Sequence, residues 1–402
     1  MHTSSTAVRD APEAGGALFR LWEVPAGPRP GVTVVDGHVL VAGHAAVRAV
    51  LADPRTYAPD NALDAVTPIP VTALRVLTGH GFRLPPTLAN NGSASHPEIR
   101  AIVGAALHPA RVEEQRAWLT GTVRRRVAGI AARLRAGGAV DLYAELAADL
   151  PLRVLARMIE LPAGDVGLVK EFSRAALELF WAPLDEARQV RLAGIVGHYH
   201  EVLRATAATA GGMVAELREY AAARGGRVED LVVGALFFLL VAGQETTSQF
   251  LTLLLHRLAA EPGATGRLLS GEVSIEDVVE EGLRFEPPIV SWRRVATRDT
   301  VLGGVRVPAG ASVVLWLAAA GRDRTVVGSP DAFCPGQKGA RRHLAFGAGA
   351  HRCLGAQLSR MEAAVVVAEC APLLCGVRVV RAPSSPGNLS FRMPDALIVT
   401  RD

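Results

Sequence analysis

Near its C-terminal end the chain carries a single cysteine in a glycine-rich loop that leads directly into a predicted helix. The loop runs from Phe346 to Gly355 with the pattern Phe-x-x-Gly-x-x-x-Cys-x-Gly around Cys353, and the helix is predicted over 356–370. A helix N-terminus favours negative charge, so a sulfur just ahead of it tends to be a thiolate. Gly349 and Gly355 permit backbone conformations that turn N–H groups toward the sulfur, and Phe346 can cover it from water. The segment therefore predicts a buried, hydrogen-bonded thiolate.

A thiolate of this kind is the ligand with which haem iron splits O–O bonds. The alternative is a structural cysteine beside a helix, since cysteine is often buried. The combination of Phe346, the glycines, His351 and Cys353 favours the ligand, and it closely resembles the cysteine-ligand loop of the haem-thiolate monooxygenases, the cytochrome P450 family. The resemblance implies a thiolate-ligated haem b, with Cys353 as the metal ligand. It also implies that Phe346, Gly347, His351 and Gly355 contact the cofactor.

Composition allows one large core and excludes several classes of function. Half of the 402 residues are hydrophobic, and the mean hydropathy is +0.24. The net charge of +4 is a mild excess, which gives no case for nucleic acid but would suit an acidic protein partner. The four cysteines form neither Cys-x-x-Cys nor a zinc-binding spacing. This usage fits a reducing cytoplasm.

No segment predicts a membrane span. Residues 1–16 are polar and lack an apolar signal core, and the longest apolar run, 231–243, is shorter than the ~20 residues that a spanning helix needs. We therefore expect a soluble, cytoplasmic protein with a buried helix. The chain divides into an irregular N-terminal segment, 1–30, and a single haem-thiolate monooxygenase domain, 31–402.

The hydrophobic pattern predicts a mainly α fold with a minor β region, and the resemblance implies a cytochrome P450-like single-domain fold. Asp36-Gly37 between two apolar runs predicts a β-hairpin, 58–92 shows no steady period and predicts a long loop, and 321–342 predicts coil. Helices are predicted at 45–51, 112–134, 142–161, 230–261 and 275–285, and paired strands at 300–307 and 312–317.

The long predicted helix contains Ala242-Gly243-Gln-Glu245-Thr246-Thr, which is unusual in an otherwise apolar helix. Gly243 removes side-chain bulk where a flat cofactor or O₂ must approach the backbone. The Thr246 hydroxyl can bond back to the carbonyl of Ala242, and Glu245 beside it can relay protons. The alternative is a helix with ordinary polar residues. The segment resembles the oxygen-binding groove of the same family, which implies catalytic roles for Thr246 and Glu245 and cofactor contacts for Ala242 and Gly243.

Four basic side chains are candidates for holding the haem carboxylates. His96 and Arg100 lie four residues apart, hence on one face of a helix whose first position suits Pro97. By resemblance, Arg294 and His351 supply two further donors near the cofactor. Charge-assisted hydrogen bonds from such donors are the usual means of binding carboxylates.

Glu281-x-x-Arg284 matches the family's Glu-x-x-Arg pair, with one departure nearby. The resemblance implies that a third partner, an arginine, follows in a Pro-x-x-Phe-x-Pro-x-Arg stretch, but Gln337 stands at that place. We predict that Arg341 or Arg342 takes over the role. The alternative is that Gln337 itself bonds the pair as a neutral partner.

Taken together, these features predict a monomeric monooxygenase that inserts one oxygen atom of O₂ into a medium-sized, mostly apolar molecule, a natural-product intermediate. Electrons would come from a separate ferredoxin and ferredoxin reductase, because no flavin or nicotinamide motif is present. Arg341, Arg342 and Arg352 are either the docking face for that partner or a solvated basic surface. By resemblance the substrate pocket is lined by 71–88, 172–184, 289–292 and 388–392.

Two other functions stay open. One is oxidative coupling or cross-linking of a bound natural product on the same haem, which product mass distinguishes through a loss of two hydrogens instead of a gain of oxygen. The other is a non-catalytic haem-fold binding protein, against which the intact Cys353 and Glu245-Thr246 argue. The identity of the substrate lies beyond what the sequence predicts.

Overall fold

The computed structural model describes residues 16–26, 31–161, 165–225 and 227–401 and is mainly helical with a smaller β region, as predicted. Its α-helices are α1 His44–Ala52, α2 Val71–Gly79, α3 His96–Ala106, α4 Pro109–Glu114, α5 Arg116–Arg135, α6 Leu150–Met158, α7 Val166–Trp181, α8 Glu186–Thr209, α9 Gly212–Ala223, α10 Val228–Ala260, α11 Pro262–Leu269, α12 Ile275–Phe285, α13 Leu317–Ala320 and α14 Ala356–Leu374. Its strands are β1 Gly31–Val35, β2 His38–Ala42, β3 Tyr57–Ala58, β4 Val140–Asp141, β5 Ser291–Ala296, β6 Thr300–Leu302, β7 Val305–Val307, β8 Ser312–Trp316, β9 Val377–Arg381 and β10 Ile398–Arg401.

The central element is α10, which packs against α6, α7, α8 and α14. Its residues are apolar almost all round, and this pattern requires burial on every side. By length and composition α10 is the one described helix that could cross a membrane, but 72% of its most apolar window is buried inside the protein. The helix therefore forms the core of the fold.

The largest sheet has the strand order β1-β2-β8-β5-β3. The predicted hairpin β1–β2 is confirmed, and positive φ angles of 49° at Asp36 and 77° at Gly37 give the tight turn that its strand twist requires. The predicted pairing of 312–317 with 300–307 is wrong. β6 and β7 pair only with each other, whereas β8 lies between β2 and β5, because its fully buried apolar residues need neighbours on both edges.

Two other predictions need correction. The segment 58–92 is not one long loop, because it contains α2, whose Ala73 and Leu77 are buried while Val71 and Leu74 are exposed. Apolar side chains on both faces of this short helix hide its amphipathic period. The helix predicted over 112–134 is two helices, α4 and α5, which meet at Gln115.

Part of the N-terminal segment packs onto the domain. Residues 17–20 form a 3-10 turn, Leu18 and Leu21 are buried, and the indole of Trp316 donates to the carbonyl of Leu21 at 2.7 Å. The rest of the segment predicted as irregular, 1–15 and 27–30, lies outside the described residues.

Candidate active site

A central cavity brings almost all of the predicted site residues together. The middle of α10 and the loop before α14 both line this cavity. Eleven of the twelve predicted residues line this cavity: His96, Arg100, Ala242, Gly243, Thr246, Arg294, Phe346, Gly347, His351, Cys353 and Gly355. Glu245 does not. Residues up to 259 positions apart in the chain thus meet at one site.

Cys353 lies three residues before Ala356, the first residue of α14, and Gly355 is the N-cap of that helix. The Cys353 amide donates to the carbonyl of Phe346 at 2.9 Å, which closes the loop into a compact turn. The thiol opens onto the cavity, but its sulfur lies deep in the protein. Burial raises the pKa of the Cys353 thiol, against the opposing effects of the Gly355 N–H and the nearby arginines Arg100, Arg352 and Arg360. Metal binding deprotonates such a thiol outright.

The two glycines act differently from each other. Gly355 directs its N–H at the sulfur, as predicted, although its φ of −80° is open to any residue. Gly349 has a φ of +70°, and a Cβ there would collide with the carbonyl oxygen of Leu51. Gly349 thus has the unusual backbone conformation that was predicted, and it lets the loop lie against the end of α1.

The four predicted donors cluster on one side of the cavity. The rings of His96 and His351 stack with centroids 4.0 Å apart, and His351 Nε2 lies 3.0 Å from the carbonyl of Asn91. Arg100 donates to the carbonyl of Arg352 at 2.5 Å, and Arg294 to that of Arg293 at 2.8 Å.

These donors have no carboxylate of their own. No Asp or Glu stands among the described residues that line the cavity. Burial lowers the pKa of Arg294 to about 10 and that of His351 to about 4, the latter opposed by the Asn91 carbonyl. A buried cation such as Arg294 is costly without a counter-ion, and the neutral imidazoles can still donate, so this cluster fits a cofactor that brings two carboxylates. The donor set therefore fits haem b.

Where α10 lines the cavity, it has the predicted local geometry. Thr246 Oγ1 donates to the carbonyl of Ala242 at 2.7 Å, the back-bond expected of threonine inside a helix. A Cβ on Gly243 would lie 3.0 Å from Leu155, so this glycine also permits close packing of α6. The groove formed by Ala242, Gly243 and Thr246 faces the cavity.

Glu245 points away from the cavity and into a buried polar network between α10 and α7. Its carboxylate pairs with Lys170 and accepts from Ser173 Oγ at 3.0 Å. Gln244 completes the network by accepting from Lys170 at 3.0 Å and donating to Ser173 at 2.7 Å. Lys170 is 13% exposed, so it links the fully buried Glu245 to the surface. Sequence reasoning missed Lys170 and Ser173; Lys170 is one of only two lysines in a chain that otherwise uses arginine, which was the available signal.

The Glu281–Arg284 pair is buried and complete without a second arginine. Arg284 makes two hydrogen bonds of 2.7 Å to Glu281 and uses its other N–H groups on backbone carbonyls. Gln337 Nε2 donates to Glu281 at 2.8 Å, which confirms the alternative of a neutral partner. The favoured prediction is wrong: Arg341 pairs with Asp277 at 3.2 Å, and Arg342 is exposed without a bond to Glu281. The amide of Gln337 suffices because the carboxylate is already neutralised by Arg284.

The remainder of the cavity wall is apolar, with Leu88, Phe238, Leu239, Ile289 and Trp292 among its residues. Two of the predicted segments, 71–88 and 289–292, contribute to it. The segments 172–184 and 388–392 contribute no described lining residue. They lie one layer behind, where Trp181 and Phe391 pack on the ring of Trp292 with centroids 6.5 and 6.2 Å away.

Comparison with known proteins agrees with this geometry. The family model of cytochrome P450 matches residues 275–370. Cytochrome P450-SU2 of Streptomyces griseolus is 30% identical over 82% of this chain and 78% of its own length. The erythromycin C-12 hydroxylase of Saccharopolyspora erythraea is 29% identical over 81% of this chain and 79% of its own. The solved structure of cytochrome P450 CREJ in complex with (4-ethylphenyl) dihydrogen phosphate superimposes with a TM-score of 0.87 at 27% identity, covering 92% of this chain and 94% of that one.

A mainly helical domain with a cysteine loop facing a helix groove defines a haem-thiolate oxidoreductase. The chain belongs to the cytochrome P450 family, and its fold is the fold of that family. Its cofactor is thiolate-ligated haem b.

Proposed function

We propose that this P450 is a monooxygenase in which Cys353 would bind the iron of haem b and the product carries one atom from O₂. The observation that carries the proposal is the placement of the Cys353 thiol in one cavity with Ala242, Gly243 and Thr246 of α10 and four basic donors. When bound, the haem supplies O₂ activation and oxygen transfer. His96, Arg100, Arg294 and His351 would hold its two carboxylates, and Phe346, Gly347 and Gly355 would contact it.

Proton delivery is the task of α10. The Thr246 hydroxyl, tied to the carbonyl of Ala242, faces the cavity and can pass a proton to a reacting oxygen. Glu245 pairs with the ammonium of Lys170 on the side of α10 away from the cavity, so its carboxylate must turn toward the cavity to hand a proton from the surface to Thr246. Burial lowers the pKa of Lys170, while its pairing with Glu245 opposes this. The pair therefore carries exchangeable protons between solvent and the helix.

The substrate is a medium-sized, mostly apolar natural-product intermediate. Support for this comes from the cavity wall, whose charged residues belong to the cofactor side while Leu88, Phe238, Ile289 and Trp292 are all apolar. The relationship to a hydroxylase named for erythromycin supports the class of molecule. Product mass distinguishes oxygen insertion from oxidative coupling.

A separate ferredoxin and its reductase supply the electrons, and the enzyme acts as a cytoplasmic monomer. The exposed Arg341, Arg342 and Arg352 lie on the loop that carries Cys353 and on the segment just before it, where an acidic partner can approach the haem from the thiolate side. Burial of the most apolar helix inside the domain supports the cytoplasmic location.

Thiolate ligation is tested by the spectrum of the reduced, CO-bound protein. The Soret band should show the red shift of a thiolate-ligated haem, and Cys353→Ser should abolish it. Cys375→Ser is the matched control, because it removes an exposed cysteine at the other end of α14. A histidine-type CO spectrum in the wild type would refute the proposal. If the CO spectrum shows thiolate ligation, a screen for substrate-induced spin shifts of the haem in the same protein identifies the substrate class.

A further inference from the structure

Two adjacent glutamates of α12 are buried against different partners. Glu281 binds Arg284, whereas Glu280 accepts hydrogen bonds from Arg360 of α14 at 2.5 and 3.1 Å and from His343 Nε2 at 3.2 Å. The side chains of Glu280 and His343 are 7% and 2% exposed, and that of Arg360 is 26% exposed. Glu280, His343 and Arg360 thus form a second buried polar cluster, the α12–α14 cluster.

The protonation states in this cluster follow from its hydrogen bonds. The N–H of Ala345 donates to His343 Nδ1 at 3.2 Å, which places the imidazole proton on Nε2 and directs it to Glu280. Burial lowers the pKa of His343, so the ring is neutral. Burial also works against ionisation of Glu280, but the hydrogen bonds from His343 and Arg360 outweigh it and hold the pKa of Glu280 at about 2. The cluster therefore contains one negative and one positive charge.

The positive charge of the cluster faces the cysteine loop. The Arg360 guanidinium lies 4.5 Å from the centroid of the Phe346 ring, and the His343 ring lies 5.8 Å from it. Phe346 lines the cavity and accepts the Cys353 amide through its carbonyl. A cation over an aromatic face is an attractive contact, so the cluster fixes the residue that closes the cysteine loop. Arg360 contacts the ring directly, whereas Glu280 reaches it only through its two partners.

We propose that Glu280, His343 and Arg360 are positioning residues that hold the Phe346–Cys353 loop and set the one-electron reduction potential of the haem. The inference rests on the proposed ligation of the haem by Cys353. Reduction adds one electron to the site, and a nearby positive charge favours the more negative state. In the wild type Glu280 offsets the charge of Arg360. Removing either partner therefore shifts the potential, and the two shifts have opposite signs.

The test is a spectroelectrochemical titration, with redox mediators, of the haem-loaded protein without substrate. Glu280→Gln leaves Arg360 uncompensated and should raise the potential. Arg360→Gln removes the cation and should lower it. Each change should alter the ferrous-to-ferric ratio at a fixed applied potential on the order of tenfold, the scale of one uncompensated charge inside a protein. The double variant should lie between the two single variants.

Controls separate this inference from the proposed ligation and from a general structural effect. Glu369 lies elsewhere on α14 and forms an ion pair of 2.8 Å with Arg124. Glu369→Gln breaks that pair and should leave the reduction potential unchanged. The CO spectrum of the wild type decides thiolate ligation independently. If the variants keep that spectrum but both potentials move in the same direction, or neither moves, the inference is overturned.

Discussion

At the scale of single residues, Thr246 and its neighbour Thr247 are the hydroxyl-bearing side chains with which α10 lines the cavity, and the back-bond of Thr246 to Ala242 fixes where its hydroxyl points. Thr246→Ala should keep haem and substrate binding, because the Thr246 side chain faces the cavity and its truncation leaves the packed core intact. Loss of the hydroxyl removes a proton donor, a contribution that usually reaches a factor of 10² or more. We therefore expect product formed per NADH to fall ~10-fold or more, with electrons diverted to hydrogen peroxide.

Thr246→Ser provides the control, since it keeps the hydroxyl and should retain most of the coupling. The measurement is product, peroxide and NADH consumption in the same reaction. Equal coupling in wild type and Thr246→Ala would remove Thr246 from proton delivery and would favour a reaction that needs no distal protonation.

Glu362 on α14 is a second residue whose chemistry becomes evident only from the structure. Both of its carboxyl oxygens are buried without a hydrogen-bond partner among the described residues, and burial raises its pKa to about 8. The unfolded value is near 4.5, so the folded protein binds one more proton between these two pH values. Stability from this group is complete below about pH 4.5 and is lost as the pH rises to about 8.

Glu362→Gln should remove this pH dependence. Relative to the wild type, the stability of the variant should rise by up to ~1.4 kcal/mol per pH unit across that window. Melting temperatures of the haem-bound proteins at pH 5.5, 6.5 and 7.5 measure the trend. Glu369→Gln on the same helix should run parallel to the wild type. Parallel melting profiles for Glu362→Gln would mean that Glu362 is ionised or hydrated in the folded protein.

How far the site could be predicted depends on the range of each interaction. The cysteine loop and the α10 groove were predictable, because their chemistry lies within ten consecutive residues. Lys170 and the α12–α14 cluster were not predictable, because no local pattern marks them. Lys170 lies 75 positions from Glu245, and His343 and Arg360 lie 63 and 80 positions from Glu280. Glu245 illustrates the limit: its type and position were predicted, but its direction depends on the packing of α7.

At the scale of secondary-structure elements, α12 acts as the hub that ties the coil before the cysteine loop to the core. A capping box between Ser274 and Asp277 starts the helix, and the adjacent buried Glu280 and Glu281 hold two separate chain segments. Gln337 anchors one of those segments through its 2.8 Å bond to Glu281. This single contact replaces the arginine that the family resemblance implies.

Gln337→Leu should therefore destabilise the haem-bound protein. A hydrogen bond to a buried charge contributes ~1.5–3 kcal/mol, and the change should lower the melting temperature and weaken haem retention. Arg341→Leu is the matched control four positions away, because its pair with Asp277 is largely exposed and contributes ~0–1 kcal/mol. Equal losses in the two variants would contradict the role given to Gln337.

The accuracy with which the sequence predicts a helix or strand depends on how strong and how local its hydrophobic pattern is. α10 and α12 are long or strongly patterned, and their bounds were predicted within two residues or better. α2 was missed because its two exposed apolar residues, Val71 and Leu74, break the stripe on which the prediction depends. β8 was assigned the wrong neighbours, since strand pairing is a non-local choice that alternation does not encode.

At the scale of the whole molecule, charge limits how a redox partner can be recognised. A net charge of +4 on 402 residues gives only a weak overall field. Any electrostatic recognition of an acidic ferredoxin must therefore come from a local cluster. Arg341, Arg342 and Arg352 are the candidates for it, because they are exposed and lie within twelve consecutive residues, on the loop that carries Cys353 and the turn just before it.

Arg342→Glu tests whether this cluster is a docking face. We expect the rate of reduction by ferredoxin to fall ~10-fold at low ionic strength, because steering by opposite charges acts on association and is screened by salt. The difference from the wild type should shrink as salt is added, and the CO spectrum should stay unchanged. Arg306→Glu is the control: Arg306 is 82% exposed on β7, a strand that does not line the cavity, and its reversal should have little effect. Stopped-flow reduction under CO gives both rates, and equal rates for the two variants would show that Arg342 belongs to an ordinary solvated surface.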